Sequence, residues 1–438
     1  MSEFNKIIGY EKEKEELKRI CDTLVNKEKY AKLGIVPPKT LLIHGDPGLG
    51  KTLMAKCLIK ESKQNLFECK KSSSSGDFVN LIKETFNKAI QNQPSIVFLD
   101  DMDKFAEDNL NINCNKNEFV TIQTCLEDIK EKDVFVIATA NSLRNLPESL
   151  LRAGRFGKQL EIKNPTFENS VKIISHYLKN KKVSKEVNPE KIAILMNNDS
   201  CALLENTINE AGIYSGYKNK DEISFEDIVD AYLKLSFRAL DDDEVTSENI
   251  TLIKAYHEAG HAVLSIICDK KITLLTIKNL GSLGGCCSLF NHDFRNTTIK
   301  EKIDDIFVAL GGKASVENKF NMVDLGALRD IEKSFEILRS LIEEYAIAGF
   351  HYCYDYDRYG DKQNLTLQEK IHSKVTKILE EKYEMAKTVL NDNRELLQEI
   401  VDNLLTKKIL FYDDIEAIKN KHKINLDNYK TILSYKNF

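Results

Sequence analysis

Thr40-Leu41-Leu42-Ile43-His44 runs straight into Gly45-Asp46-Pro47-Gly48-Leu49-Gly50-Lys51-Thr52, after which the apolar pattern turns helical. A strand-like run, a glycine-rich turn ending Gly-Lys-Thr and a helix are the context that makes such a turn a phosphate-binding loop. The glycines let backbone N–H groups point inward around phosphate oxygens at a helix N-terminus. Lys51 would neutralise β- and γ-phosphate charge, and the Thr52 hydroxyl is placed for Mg²⁺. Outward from this loop, Ser95-Ile96-Val97-Phe98-Leu99 is a second apolar run and ends in Asp100-Asp101. A buried strand that delivers a carboxylate beside the phosphates makes Asp100 the Mg²⁺-supporting acid. Asp101 stands where a residue polarises the attacking water, and it is one methylene shorter than the usual Glu. A third run, Val134 to Ala138, leads to Thr139-Ala140-Asn141, and then to SLLRAGRF with Arg152 and Arg155. Strands alternating with helices, with phosphate chemistry at their C-terminal ends, predict an α/β module on a parallel sheet.

A second stretch, His257-Glu258-Ala259-Gly260-His261 within KAYHEAGHAVLSII, carries different chemistry. Two histidines four apart on a helix share one face and can reach one ion, while the Glu between them can take a proton from bound water. The chain has only eight histidines, so the pattern is improbable by chance. HExxH reads as a zinc peptidase site. A catalytic zinc needs a third protein ligand, and the sequence alone offers many carboxylates for it.

At 438 residues the chain is too long for one ordinary domain. With 42% hydrophobic and 30% charged residues it suits a globular protein with real cores. A net charge of −5 without an isolated basic block argues against nucleic acid as a partner. The ten cysteines form no CxxC pair, which excludes a disulfide framework or thiolate zinc site and fits a reducing cytoplasm. No window reaches 18 apolar residues and the N-terminus is charged from the start, so neither a signal peptide nor a membrane span is expected.

The order GDPGLGKT, IVFLDD, ATAN, LLRAGRF resembles the AAA+ ATPases, and with HEAGH further on the chain resembles the FtsH family of ATP-dependent zinc proteases. The resemblance covers about residues 5 to 425 and implies ATP, Mg²⁺ and Zn²⁺ as cofactors. It implies Asn141 as the polar sensor of the lytic water, and Arg152 and Arg155 as arginine fingers acting on a neighbouring subunit's ATP. Fingers in trans imply a ring, hence a homo-hexamer. Ile8 and Gly9 would line the adenine pocket. For the third zinc ligand, Gly311-Gly312-Lys313-Ala314-Ser315-Val316-Glu317 followed by Gly326-Ala327-Leu328-Arg329-Asp330-Ile331 matches the family pattern and points to Asp330, with Asp324 as the alternative. The organisation then reads as a large α/β nucleotide-binding subdomain over 1–165, a helical lid over 166–237 and a linker over 238–250. A mostly α-helical zinc peptidase domain over 251–425 and a tail over 426–438 complete it.

The chain departs from the family in four places. Cys201 replaces a lid glycine in Ser200-Cys201-Ala202-Leu203-Leu204, and Asp101 replaces Glu. CKKSSSSGDFVN over 69–80 lacks the aromatic-hydrophobic-glycine pore loop, leaving Phe78 as the one aromatic, expected to pack on the following helix. The membrane anchor that precedes the AAA+ module in family members is not expected here. GSLGGCCSLF is expected to form an edge strand beside the zinc, with Cys286 and Cys287 as small strand side chains rather than ligands. From residue 300 onward the pattern reads helical to the end. The expectation is a soluble, cytoplasmic ATP-dependent protease acting on protein and peptide substrates, its substrate grip weak or supplied by an adaptor. The alternatives are a remodelling ATPase with an idle peptidase half, and an ATP-indifferent zinc peptidase.

Overall fold

A computed structural model describes residues 2–71, 75–105, 117–237, 247–280, 284–290, 298–349, 352, 365–422 and 424, which form two compact units, residues 1–228 and 229–438. In the first unit, helices α1 (Glu11–Val25) and α2 (Lys27–Ala31) precede strand β1 (Thr40–His44) and helix α3 (Lys51–Ser62). The single helix expected over 11–33 is interrupted at Asn26, whose φ −104° and ψ 47° leave helical space; Leu17, Ile20 and Leu24 still form the buried stripe. Strand β2 (Asn65–Cys69), helix α4 (Ser75–Gln91), strand β3 (Ser95–Leu99), helix α5 (Asn117–Asp128), and strands β4 (Val134–Ala140) and β5 (Gln159–Glu161) follow. The five strands pair in parallel in the order β2-β3-β4-β1-β5.

That order explains the composition of the strands. The three central ones are the near-continuous apolar runs, because a parallel strand covered on both faces must be apolar on both. Edge strands β2 and β5 carry the polar residues. Register pairs His44 with Ala140 and Leu99 with Ala138, so Gly45, Asp100 and Asn141 leave the sheet at one edge, beyond the strand C-termini. Phe78 is fully buried in α4 and meets Phe105 edge-on at 4.8 Å, so packing accounts for it.

Helices α6 (Phe167–Leu178), α7 (Pro189–Leu195), α8 (Cys201–Tyr217) and α9 (Phe225–Phe237) complete the helical part of this region. Thr166, Asn188 and Ser200 cap the first three through side-chain acceptors. The division between units falls at Ile228/Val229, inside α9, whereas the expected linker begins at 238; residues 238–246 and the tail 426–438 lie outside the described residues.

In the second unit, helix α10 (Glu248–Ile267) carries HEAGH and packs on helix α11 (Ile299–Phe320). The two cross at a pair of glycines. A Cβ on Gly260 would lie 2.2 Å from the Gly311 carbonyl oxygen, and one on Gly311 would lie 2.7 Å from the Gly260 oxygen. Helices α12 (Leu328–Glu343), α13 (Leu365–Asp392), α14 (Arg394–Lys407) and α15 (Tyr412–Lys421) surround this pair, with a break at Asn393 inside the expected long helix. Strands β6 (Ile272–Thr276), β7 (Cys286–Leu289) and β8 (Ile409–Phe411) form an antiparallel sheet in the order β7-β6-β8. Strand β8 corrects the expectation of an all-helical C-terminal region: three residues are too short for a periodicity signal, and their strand state comes from pairing with β6.

Candidate active sites

At the edge of the parallel sheet, Gly45, Gly48 and Gly50 all have positive φ, and Gly50 caps α3 in the left-handed region. A Cβ at Gly45 would lie 1.9 Å from the Ile162 carbonyl, so only glycine lets the loop leave β1 here. Leu49 anchors the loop in the core, while Asp46 and Pro47 are exposed. Lys51 is buried and donates to the Asp46 carbonyl at 2.7 Å and the Asn141 side-chain oxygen at 2.9 Å. Burial, opposed by the aspartates around it, lowers the Lys51 pKa. Asp100 accepts hydrogen bonds from Thr52 at 2.9 Å and Thr139 at 2.8 Å. Lys51, Thr52, Asp100 and Asn141 are thus brought together.

Thr139 escaped the sequence reading. Its hydroxyl donates to Asp100 and accepts from the Asp101 N–H at 2.8 Å, fixing both acids from β4. Asp101 has a left-handed φ of 54° and its carboxylate pairs with Lys104 at 2.8 Å. The α8 end of the helical region reaches the loop directly: the Ala202 N–H donates to the Gly48 carbonyl at 2.9 Å. Cys201 turns to the Tyr10 hydroxyl at 3.4 Å, beside Ile8 and Gly9. Gly9 has φ +70° and lies against Asn169. The two arginines differ: Arg152 is exposed, whereas Arg155 donates to the Ser149 carbonyl at 2.7 Å and lies 3.5 Å from Glu127.

In the second unit, His257, His261 and Asp330 offer ligand atoms that lie within 4.8 Å of one another. The two Nε2 atoms are 3.0 Å apart, and Asp330 Oδ2 is 3.4 Å from each. A tetrahedral zinc with ordinary bond lengths separates its ligands by about 3.3 Å, so the triangle fits. The tautomers follow from the partners. His257 Nδ1 faces Asp324 Oδ2 at 2.6 Å and His261 Nδ1 faces the Val308 carbonyl at 2.8 Å; both are acceptors, so both Nδ1 atoms carry protons. With Nδ1 committed in both rings, the two Nε2 atoms and a carboxylate oxygen are the atoms left to converge, which is a donor set for a cation once Nε2 is deprotonated.

The electrostatics show how strongly the site attracts positive charge, which a proton on His257 supplies when no cation is bound. Burial disfavours charging His257, but the carboxylates of Asp324 and Asp330 outweigh it and lift its pKa to about 10. Burial alone would raise Asp330, and the two imidazoles hold it well below the usual carboxylate range. Glu258 is buried and burial raises its pKa. Its carboxylate lies against the start of β7: a Cβ on Gly285 would sit 2.6 Å from Glu258 Oε1 and 2.7 Å from the Thr276 carbonyl. Strand β7 is an edge of its sheet, and burial raises the thiol pKa of Cys286, to about 11, and of Cys287. These are strand side chains, poor in thiolate.

Gly312 was legible only as a landmark, yet a Cβ there would sit 2.5 Å from Cε1 of the His257 ring. The signal was a glycine doublet inside a helical pattern, which costs helix stability and so calls for a packing reason. Asp324 addresses Nδ1 of His257, on the side of the ring away from the three converging atoms.

Residues 41–164 match the ATPase family associated with various cellular activities (AAA), and residues 244–418 match peptidase family M41. Three similar proteins carry the description "ATP-dependent zinc metalloprotease FtsH". That of Streptobacillus moniliformis is 30% identical over 96% of this chain and 65% of its own length. That of Mycoplasma genitalium is 29% identical over 96% and 63%, and that of Bacillus subtilis 29% over 95% and 69%. The chain spans less than two thirds of the length of the first of these relatives. No helix among the described residues is long and apolar enough to cross a membrane.

Proposed function

Because this chain belongs to the FtsH-type proteins, which join an AAA module to a peptidase family M41 module, we propose that it is an ATP-dependent zinc endopeptidase. The observation that carries the peptidase half is the convergence of two Nε2 lone pairs and one carboxylate at tetrahedral spacing. His257, His261 and Asp330 would hold zinc. When bound, the ion supplies a Lewis acid that polarises the scissile carbonyl and acidifies water. Glu258, buried beside the ligands, takes the proton of that water and passes it to the leaving amine. An extended substrate aligns along β7, which has no strand beyond it among the described residues and so can offer backbone hydrogen bonds, and Gly285 keeps that edge close to Glu258.

In the AAA half, the glycine-rich loop from Gly45 to Gly50 would cradle ATP phosphates, Lys51 would neutralise their charge, and Thr52 with Asp100 would hold Mg²⁺. Asp101 and Asn141 orient the lytic water, and Ile8 and Gly9 border the adenine. Arg152, exposed, is the trans-acting finger in a homo-hexamer; Arg155 shares the role once freed from Ser149 and Glu127. The proposed domain limits are those read from the sequence, except that α10 already begins at Glu248, inside the linker read over 238–250. ATP turnover unfolds protein substrates, with an adaptor supplying grip. The proposed location is the cytoplasm, which the need for ATP and the free thiols among the described cysteines support.

The test compares degradation of unfolded casein and of a folded tagged protein, with and without ATP and with a zinc chelator. ATP-stimulated, chelator-sensitive cleavage of both is expected. No cleavage with intact ATPase activity would establish a remodelling ATPase instead, and ATP-indifferent cleavage of casein alone a simple zinc peptidase.

A further inference from the structure

We propose that Asp324 is a positioning residue that ties two arms of the metal site together, orienting His257 through one carboxylate oxygen and the approach to Asp330 through the other. The inference rests on the zinc-site reading above and deepens it. Three observations carry it.

The first is which nitrogen each acid addresses. Asp330 lies 3.4 Å from both Nε2 atoms, whereas Asp324 Oδ2 lies 2.6 Å from Nδ1 of His257. The two nitrogen directions of an imidazole point away from each other in the ring plane. A carboxylate on Nδ1 therefore orients the ring and sharpens the Nε2 lone pair without competing for the ion.

The second is that the other oxygen is also committed. Asp324 Oδ1 accepts the Gly326 N–H at 2.9 Å and caps the 3-10 turn Leu325–Ala327, which runs directly into α12. Asp330 is the third residue of α12. One side chain thus sets the His257 ring on α10 and the entry of the helix that delivers Asp330.

The third is asymmetry between the histidines. His261 Nδ1 has a neutral backbone carbonyl, built into α11 at Val308, as its partner. His257 has a carboxylate on a turn, and its other support is the Cβ-free face of Gly312. His257 is consequently the ligand whose orientation depends on a replaceable side chain.

The experiment measures zinc affinity of the full chain by chelator competition, with melting temperatures in EDTA and in zinc, for wild type, Asp324→Asn and Asp324→Ala. Asparagine still caps the turn and accepts from Nδ1–H but removes the charge, so zinc binding should weaken about 10-fold; alanine removes both bonds and should weaken it about 100-fold. If the alanine variant does not fold, the asparagine variant carries the test. Cobalt in place of zinc should keep its tetrahedral absorption in Asp324→Asn and lose it in Asp330→Asn. Zinc affinity within about twofold of wild type in Asp324→Asn and in a folded Asp324→Ala, with only the EDTA melting temperature lowered, would overturn the inference and leave the zinc site standing. Loss of the tetrahedral absorption in Asp324→Asn would make Asp324 a ligand and overturn it too. A wild-type chain that holds no zinc overturns the site reading, and the inference with it.

Discussion

At the scale of single residues, the proposed zinc site is governed by atoms that are missing as much as by those present. Gly312 has no Cβ, and the His257 ring occupies the space one would fill. Gly312→Ala should push that ring off its partners and weaken zinc binding by about 10-fold or more, read by chelator competition, although alanine favours the helix. Gly285→Ala meets a carboxylate that can swing but also the fixed Thr276 carbonyl. It should lower peptide cleavage while sparing zinc affinity. Glu258→Gln removes the proton acceptor and no ligand, so zinc stoichiometry should stay at wild type while cleavage falls at least about 10²-fold. The pattern HExxH made His257, Glu258 and His261 legible because helix geometry alone puts positions four apart on one face. It could not separate Asp330 from Asp324, since that choice depends on which imidazole nitrogen each acid meets.

At the scale of elements, two features carry measurable stability. The α10–α11 crossing depends on Gly260 and Gly311, whose backbones touch. Gly260→Ala forces those backbones apart and should destabilise the peptidase unit by about 3 kcal/mol, seen as a lower urea midpoint for that unit. In α9, Asp227 is buried and accepts from Ser224 N at 3.0 Å, Ser224 Oγ at 2.7 Å, Ser215 Oγ at 3.0 Å and Lys220 Nζ at 2.7 Å. Burial acts to raise its pKa, but these four donors prevail and hold it far below the usual range. A depressed folded-state pKa contributes stability that is fully present above the unfolded value of about 3.9 and is lost as pH falls below it. Asp227→Ala should therefore cost about 3 kcal/mol at neutral pH and flatten the acid loss of stability, checked by urea titrations between about pH 7 and pH 3. The central strands were readable as unbroken apolar runs, whereas β8 was not, because it owes its state to β6 rather than to its own three residues.

At the scale of the molecule, each unit has its own apolar core and its own candidate site. One core lies under the parallel sheet, around Phe78, Phe86, Phe105 and Phe156, and the other gathers α10, α11, α14 and α15. Independent cores predict that the two proposed activities can be removed separately. Lys51→Ala should cut ATP hydrolysis by about 10²–10³-fold and stop degradation of a folded substrate, while short-peptide cleavage persists. Glu258→Gln should show the reverse pattern in the same assays. By itself the sequence determined whatever depends on short spacing: the loop from Gly45 to Thr52, the acid pair after β3, and two histidines one helical turn apart. Those relations follow from backbone geometry, which any helix or strand reproduces. Only the tertiary structure decided that Asp330, 69 residues beyond His261, meets both Nε2 atoms while Asp324 meets Nδ1. That decision depends on where the turn Leu325–Ala327 and the start of α12 lie against α10, a relation between elements distant in sequence that no short spacing fixes.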